Sequence, residues 1–282
     1  MTPALRATQV TEALQSATGA LAAAGCDTPR LDAEVLLAHV LGTDRARLLL
    51  DARAPLSVEA VRPYQDAVRR RAIEREPVAY IIGRRGFRHI ELAVDPRVLI
   101  PRPETELLVE IGLELPPGQR VLDVGTGSGA VALALKQERP DLDVSASDAS
   151  GEALAVARAN AVRLGLEVEL LEAELLAPAL ERRFDAVLAN PPYVPDAELA
   201  RLAPEIVRHE PAAALRGGPD GLDVIRALVA QAGAAAGLAL LAIEVGAGQA
   251  PAVETLLRDA GFGDVGLRRD LAGVARVAVA ER

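Results

Sequence analysis

From Arg120 onwards, short apolar runs alternate with longer segments of helical periodicity. The predicted strands are residues 121–124, 144–147, 167–171, 184–189, 238–245, 265–268 and 275–280, and the predicted helices are residues 128–138, 152–164, 222–235 and 251–260. This alternation is typical of an α/β protein with a doubly wound, Rossmann-like sheet of seven strands. The last two strands are predicted to pair antiparallel, because the four residues that join them are too few for a crossover helix.

The residues before this alternating region divide into two further segments. Residues 1–75 show only helical patterns, with Ser57 as a candidate helix cap, and are predicted to form a small separate domain. Residues 76–103 are predicted to be a linker that contains a β-hairpin, with strands at residues 90–94 and 98–100. The arginines of residues 69–75 are interpreted as a solvated face, with an acidic partner as the alternative. The third segment, residues 104–282, contains the sheet.

Composition limits the classes of function. Half of the residues are hydrophobic and 25% are charged, as in a globular protein, and the formal net charge is −9. An acidic balance argues against a protein that binds long nucleic acids through their phosphates. Cys26 is the single cysteine, so no internal disulfide can form. We find neither a signal peptide nor an apolar run of the roughly 20 residues that span a membrane, and we expect a cytoplasmic protein.

A glycine-rich loop follows the first strand of the sheet. The candidate cofactor-binding residues are Asp123, Gly125, Thr126, Gly127, Ser128, Gly129 and, at the end of the second strand, Asp148. Glycines at this position admit a ligand to the helix N-terminus, and the acid can accept both ribose hydroxyls of a nucleoside. The loop alone fits NAD as well as S-adenosylmethionine. Asp123 favours the latter, because a carboxylate attracts an ammonium group and repels a pyrophosphate, and so does the terminal hairpin.

The sequence Asn190-Pro191-Pro192-Tyr193 follows the apolar run that forms the fourth predicted strand. Two prolines cannot continue a central strand, so the chain must leave the sheet in a stiff corner. The Asn190 side-chain oxygen and the Pro191 carbonyl can each accept one N–H of a planar amide, and Tyr193 can cover its flat face. Such a corner suits an N–H₂ group whose nitrogen reacts. Taken alone, the tetrapeptide is also compatible with an ordinary turn.

The motifs together resemble those of the peptide chain release factor N(5)-glutamine methyltransferases, which are class I S-adenosylmethionine-dependent enzymes. The resemblance covers nearly the whole chain and rests on Glu76-Pro77, Tyr80, Gly83, Phe87, Ile100 to Glu106, the glycine loop, Asn190 to Tyr193, Glu210 to Leu222, Glu244, Gly246 and Gln249. It implies S-adenosylmethionine as the cofactor and methylation of the glutamine in the Gly-Gly-Gln motif of class 1 release factors. Residues 1–75 would then serve substrate recognition.

The resemblance also implies roles for individual residues. Asn190 would lie by both the methyl group and the substrate, and Glu174 and Leu175 would contact adenine, although this family can carry a tryptophan where Leu175 stands. Arg102 and Glu104 are expected to form a wall of the glutamine pocket together with the corner residues Pro191, Pro192 and Tyr193. The nitrogen becomes acidic once it is methylated, so we predict no catalytic histidine, cysteine or metal ion.

Four other functions share part of this sequence pattern. A DNA adenine-N6 methyltransferase uses a similar corner, but the acidic balance and the lack of a basic recognition domain argue against it. A ribosomal-protein glutamine methyltransferase differs in its substrate and must be separated by substrate tests. A non-catalytic nucleotide-binding module is disfavoured by the intact Asn190 and glycine loop, and a dehydrogenase by Asp123.

Overall fold

The computed structural model describes residues 9–282. The chain divides into two compact units. The first contains the residues up to Gly83 together with the segment Ala203–His209, and the second contains Arg84–Leu202 and Glu210–Arg282. The predicted domains, residues 1–75, 76–103 and 104–282, stay predictions, and residues 1–8 lie outside the described residues. Among the described residues, every helix is too short or too polar to cross a bilayer.

The first unit is helical. Its helices are α1 (Val10–Ala23), α2 (Pro29–Val40), α3 (Arg45–Leu50), α4 (Val58–Arg69), α5 (Val78–Ile82) and the later α11 (Pro204–His209), and a π-helical turn, Arg70–Glu74, continues α4. Leucines of the predicted helical pattern, such as Leu14 and Leu21, are buried in its core. The hydroxyl of Ser57 accepts a hydrogen bond from Ala60 N at 3.3 Å, so the predicted helix cap is present.

A buried charge cluster lies inside this unit. Arg71 is 6% exposed, and its guanidinium contacts Asp32 Oδ2 at 2.7 Å and Glu205 Oε1 at 3.0 Å. Arg75 contacts the other oxygen of Glu205 at 2.9 Å. The interpretation of residues 69–75 as a solvated face is therefore wrong for Arg71 and Arg75, although Arg69 is exposed. Two carboxylates balance the charge of these arginines, which makes their burial tolerable, although Arg71 Nη1 and Arg75 Nε have no hydrogen-bond partner among residues 9–282.

The second unit begins with a β-hairpin of strands β1 (Arg84–Phe87) and β2 (Ile90–Ala93). The predicted hairpin paired residues 90–94 with 98–100, and that pairing is wrong. Ile100 N donates instead to a side chain, Glu210 Oε2, at 3.1 Å, so residues 98–100 form no strand. A 3₁₀ turn, Pro103–Thr105, then leads into α6 (Glu106–Leu113).

The remaining strands form one seven-stranded sheet, as predicted. They are β3 (Arg120–Val124), β4 (Asp143–Asp148), β5 (Glu169–Glu172), β6 (Ala186–Ala189), β7 (Leu240–Glu244), β8 (Asp264–Arg269) and β9 (Ala275–Glu281). Their order is β5-β4-β3-β6-β7-β9-β8. The first five strands in this order are parallel, and β9 is antiparallel to both neighbours, which confirms the predicted terminal hairpin.

Helices connect these strands. They are α7 (Ala130–Glu138), α8 (Gly151–Leu164), α9 (Ala177–Glu181), α10 (Asp196–Leu199), α12 (Asp223–Ala234) and α13 (Ala250–Asp259), with a 3₁₀ turn at Ala212–Ala214. The predicted start of α7 at Ser128 is two residues early, because Gly129 has φ of 85° and cannot be helical. Strands β3 and β6 lie in the middle of the sheet, and every residue of β6 is buried.

We predict that Arg71→Ala lowers the free energy of unfolding by about 3–5 kcal/mol, because it leaves the buried Asp32 carboxylate without its cation and Glu205 with Arg75 alone. Urea unfolding of the full chain followed by circular dichroism measures the change. The matched control is Arg69→Ala, which removes a half-exposed side chain and should change the free energy of unfolding far less. Equal effects of the two substitutions would show that burial of Arg71 is irrelevant to stability.

Candidate active site

The carboxyl ends of β3 and β6 lie side by side at one edge of the sheet, because Val124 pairs with Ala189. The glycine loop begins with Gly125 directly after β3, and the proline corner begins with Asn190 directly after β6. A Cβ atom on Gly125 would lie 3.7 Å from the Asn190 carbonyl oxygen. Open α/β sheets bind ligands in the crevice at such an edge. The structure thus brings together the two motifs on which the sequence analysis depends.

The glycine loop is held by β4. The N–H groups of Gly125 and Thr126 both donate to the Ser147 carbonyl, at 2.9 and 3.0 Å. Gly125, Gly127 and Gly129 all have positive φ, the conformation that glycine adopts without strain. No atom lies within 4 Å of a Cβ built on Gly127, so the loop leaves open space there. Ser128 is buried, and its hydroxyl has no hydrogen-bond partner among residues 9–282.

Asp123 is buried beneath this loop. Its Oδ2 accepts hydrogen bonds from the Thr126 hydroxyl at 2.6 Å and from Ala132 N at 3.1 Å. Burial raises the pKa of Asp123 to about 6, the two hydrogen bonds oppose this rise, and the nearby Asp148 adds to it. The carboxyl group therefore changes its charge in a pH range close to neutrality.

Asp148 ends β4 and is fixed by the backbone on both of its oxygens. Oδ2 accepts a hydrogen bond from Gly127 N and Oδ1 one from Ser150 N, each at 2.9 Å. The Asp148 carbonyl accepts from Ala173 N at 3.0 Å, which places the segment after β5 beside it. Glu174 in that segment is exposed, and Leu175 is partly buried with φ of 46°, which is rare for leucine.

Asn190 is oriented by a residue from the turn before α6. Its Nδ2 donates to the Thr105 hydroxyl at 3.2 Å, and Thr105 is buried. This contact leaves the side-chain oxygen of Asn190 as the acceptor for another group. Pro191 is buried and Pro192 partly buried. The predicted corner is present, because the chain leaves β6 after Ala189 without further sheet pairing.

Tyr193 is anchored by a carboxyl group at the end of β7. Its hydroxyl donates to Glu244 Oε1 at 3.2 Å, and Glu244 is 1% exposed. Burial raises the pKa of Glu244 to about 7, although the hydrogen-bonding side chains of Thr105 and Tyr193 lower it. Burial and the neighbouring Glu244 also raise the pKa of Tyr193, so this phenol stays protonated. The ring is thereby held at a fixed position in the corner.

Gln249 fixes the backbone of the same corner. Its Nε2 donates to the Tyr193 carbonyl at 2.9 Å, and its Oε1 accepts from Gly246 N at 2.8 Å. A Cβ atom on Gly221 would lie 2.3 Å from the Tyr193 carbonyl oxygen and 2.5 Å from Gln249 Nε2. Only glycine fits at this position, which also has φ of 78°.

Arg102 and Glu104 lie in different environments. Arg102 pairs with Glu210 Oε1 at 2.5 Å, and Glu210 is buried, so the guanidinium is bound to a protein carboxylate. Glu104 is partly buried and lies near enough to Glu244 to raise its pKa. The predicted role of both residues as a pocket wall stays a prediction. Asp220 caps Leu222 N and pairs with Arg226 at the surface, as an ordinary loop acid would.

Sequence reasoning did not assign Thr105, Glu244 and Gln249 to the site. All three appear in the sequence analysis only as parts of the motifs that carry the family resemblance. One signal was present for Glu244, because a charged residue at the end of an apolar strand is expected to be buried only when it has partners. The contacts of Thr105 and Gln249 arise from residues distant in sequence, so no local pattern indicates them.

Two family models match the chain. One is described as the PrmC N-terminal domain and matches residues 12–83, and the other is the methyltransferase small domain and matches residues 103–225. Among solved structures, a methyltransferase from Pyrococcus furiosus has a TM-score of 0.52 at 17% identity and covers 67% of this chain and 87% of its own. The human Mettl16 catalytic domain has a TM-score of 0.54 at 16% identity, with coverages of 79% and 81%. These similarities concern the fold.

The seven-stranded sheet, the glycine loop and the methyltransferase domain match define the chain as a methyltransferase, and hence as an enzyme. A release factor glutamine methyltransferase from Gloeobacter violaceus is 44% identical over 90% of this chain and 91% of its own length. Those from Mycolicibacterium smegmatis and Deinococcus radiodurans are each 43% identical, and cover 98% and 97% of this chain and 98% and 99% of their own lengths. The chain belongs to the family of release factor glutamine methyltransferases.

We predict that Gly221→Ala destabilises the corner, because the new Cβ collides with the Tyr193 carbonyl in a left-handed backbone conformation. The expected loss in unfolding free energy is about 1–3 kcal/mol, the usual cost of such strain. Thermal and urea unfolding measure it. Gly266→Ala is the matched control, since nothing lies within 4 Å of its Cβ and its φ is not positive. An equally stable Gly221→Ala protein would contradict the close approach.

Proposed function

We propose that this enzyme transfers a methyl group from S-adenosylmethionine to the side-chain amide nitrogen of the glutamine in the Gly-Gly-Gln motif of class 1 peptide chain release factors. The observation that carries the proposal is the position of Asn190 directly beside the glycine loop. A group that holds a planar amide thus adjoins the loop that suits a nucleoside cofactor. Relatives that are named for this activity are more than 40% identical over nearly the full chain.

The residues around the glycine loop fit S-adenosylmethionine. The open space at Gly127 and the unpartnered Ser128 hydroxyl suit the methionine part, Asp123 its ammonium, and Asp148 the ribose hydroxyls. Gly125, Thr126 and Gly129 shape the loop, and Glu174 and Leu175 follow the strand next to Asp148 and would contact adenine. A buried carboxyl group at Asp123 supports this cofactor over NAD, because it would repel a pyrophosphate. When bound, the cofactor supplies an electrophilic sulfonium methyl group.

The corner acts on the substrate by holding its amide. The lone pair of an amide nitrogen is delocalised, as the peptide rotation barrier of about 18–20 kcal/mol shows. Asn190 Oδ1 and the Pro191 carbonyl each accept one N–H of the glutamine and so fix the nitrogen and shift electron density onto it. Pro192 stiffens the turn, because it has no N–H and a fixed φ. The side-chain oxygen of Asn190 is left for this role because Nδ2 donates its hydrogen bond to the Thr105 hydroxyl.

Tyr193 excludes water from this amide. Its ring is fixed through the hydroxyl by Glu244 and through the backbone by Gln249, so it can cover the flat face of the substrate without losing further freedom. Arg102 and Glu104 would border the same pocket. The methylated nitrogen is acidic enough to lose its proton to water, so this mechanism needs no general base among the side chains.

The partner in this proposal is a protein, namely the class 1 release factor, and direct binding of nucleic acid or membrane is not expected. The net charge of −9 supports the absence of a nucleic acid partner. Because release factors act in translation and the chain has a single cysteine, we infer a cytoplasmic location.

The direct test uses the purified enzyme, S-adenosylmethionine with a labelled methyl group, and a purified class 1 release factor. Label should enter the wild-type release factor and not a variant whose Gly-Gly-Gln glutamine is replaced by alanine. Ribosomal proteins and adenine-containing DNA serve as competing substrates. If ribosomal proteins or DNA were labelled in preference to the release factor, they and not the release factor would be the substrate.

We predict that Asn190→Ala lowers kcat for release factor methylation by at least about a hundredfold, because it removes a preorganised hydrogen bond to the reacting amide. The Kd of S-adenosylmethionine, measured by calorimetry, should change far less than kcat. Asn190→Ala enzyme with a wild-type kcat would remove Asn190 from the mechanism.

We predict that S-adenosylmethionine binds more weakly as the pH falls through the pKa of Asp123, about 6, since only the ionised carboxylate attracts the ammonium. If only the ionised form binds, Kd rises by about tenfold from pH 7 to pH 5. Calorimetry over this range measures the change. Asp123→Asn should bind weakly and without this slope, whereas Asp143→Asn, an exposed acid on β4, should keep it. The same slope in Asp123→Asn would contradict the assignment.

A further inference from the structure

Thr105 connects Asn190 to a buried carboxyl group. Its hydroxyl oxygen accepts the hydrogen bond from Asn190 Nδ2, so its own hydrogen must be donated elsewhere. Thr105 is 4% exposed, which leaves little access to water. Glu244 lies close enough for the Thr105 hydroxyl to lower its pKa, and Glu244 Oε2 has no hydrogen bond of ordinary geometry among residues 9–282. A buried, unpartnered carboxylate oxygen beside this hydroxyl is the acceptor that best satisfies the threonine hydrogen.

A carboxylate at this position determines the direction of the hydrogen bonds. An ionised carboxyl group only accepts, so the Tyr193 hydroxyl donates to Glu244 Oε1 at 3.2 Å, and in a hydrogen bond between Thr105 and Glu244 the threonine must be the donor. A threonine that donates to Glu244 can only accept from Asn190, and this forces Asn190 to present its nitrogen to Thr105. The oxygen of Asn190 then faces away from Thr105.

On this basis, and resting on the proposed function, we propose that Thr105 and Glu244 are positioning residues that fix the amide orientation of Asn190, so that its oxygen and not its nitrogen meets the substrate glutamine. An asparagine amide has nearly the same shape in its two orientations, so packing alone selects neither. In the reversed orientation, Nδ2 would face the N–H₂ group of the substrate, and two donors cannot pair. The chain of hydrogen bonds from Glu244 thus selects the productive orientation.

The protonation state of Glu244 provides a second test of the hydrogen bonds that link Glu244, Thr105 and Asn190. A protonated carboxyl group can donate to Thr105, which then can donate to Asn190 Oδ1 and stabilise the reversed orientation. The groups that face Glu244 are Thr105 and Tyr193, Glu104, which raises its pKa, and Arg276, which lowers it. Burial outweighs the hydrogen bonds, so the pKa is about 7. At saturating cofactor, kcat should rise from pH 6 to pH 8 as Glu244 ionises.

The kinetic test compares three threonine variants. Thr105→Val keeps the shape of the side chain and removes its hydroxyl, whereas Thr105→Ser keeps the hydroxyl. Thr255→Val is the matched control on α13, where it removes a hydroxyl that donates to Pro251 O. We expect Thr105→Val to lower kcat by at least about tenfold, with the Kd of S-adenosylmethionine nearly unchanged. Thr105→Ser and Thr255→Val should keep nearly the wild-type kcat. A Thr105→Val enzyme within threefold of the wild-type kcat would overturn the proposal.

A spectroscopic test is independent of activity. The sequence contains two asparagines, Asn160 and Asn190, so asparagine-selective ¹⁵N labelling gives two side-chain amide pairs. Asn160 bonds to Ala93 and Ser128 and serves as the internal reference. In Thr105→Val, the Asn190 amide protons should shift and exchange faster with solvent while those of Asn160 stay unchanged. Unchanged Asn190 signals would overturn the proposal, and unchanged Asn160 signals show that the variant is folded.

Glu244→Gln completes the set. The amide of this variant both donates and accepts hydrogen bonds, so the substitution should lower kcat and remove the rise in kcat between pH 6 and pH 8. A rise in kcat that persists in Glu244→Gln would overturn the role of Glu244. Failure of the proposed function is recognised separately, because wild-type enzyme would then leave the release factor unlabelled while the shift of the Asn190 amide in Thr105→Val still appeared.

Discussion

The pairing of β3 with β6 is the constraint on which the rest of the site depends. The proline corner taken alone is compatible with an ordinary turn, and the glycine loop taken alone does not distinguish one nucleoside cofactor from another. The parallel register places Gly125 next to Asn190 at the edge where both strands end. The nearness of the glycine loop to the proline corner is thus a property of the sheet.

Two buried carboxyl groups stand at this edge, and their surroundings suit them to different roles. Asp123 contacts the glycine loop, and Glu244 contacts the corner. Burial raises the pKa of Asp123 to about 6 and that of Glu244 to about 7, so both carboxyl groups change charge close to neutral pH. An acid at Asp123 would act through its charge on a cation, whereas Glu244 would act through the direction of the hydrogen bonds that it accepts.

Most of the fold follows from local patterns in the sequence. The seven strands and the terminal hairpin were predicted from apolar runs and connection lengths, because periodicity and loop length are visible locally. The first hairpin is predicted at the wrong residues. Residues 98–100 have the composition of a strand, but the backbone N–H of Ile100 donates to the Glu210 side chain. The same limit applies to the site. Asn190, Gly125 and Asp148 follow strands and could be named, whereas the partners of Thr105 and Gln249 are set by tertiary contacts, and the burial of Arg71 depends on Glu205, far along the chain.

The segment Ala203–His209 belongs to the helical unit although it lies in sequence between two parts of the sheet-containing unit. The polypeptide therefore passes from one unit to the other three times, after Gly83, after Leu202 and after His209. No single cleavage of the backbone separates the two units into complete pieces. A fragment that stopped at residue 83 would lack Glu205, the carboxylate that Arg71 and Arg75 share, so residues 1–83 alone do not contain the complete helical unit.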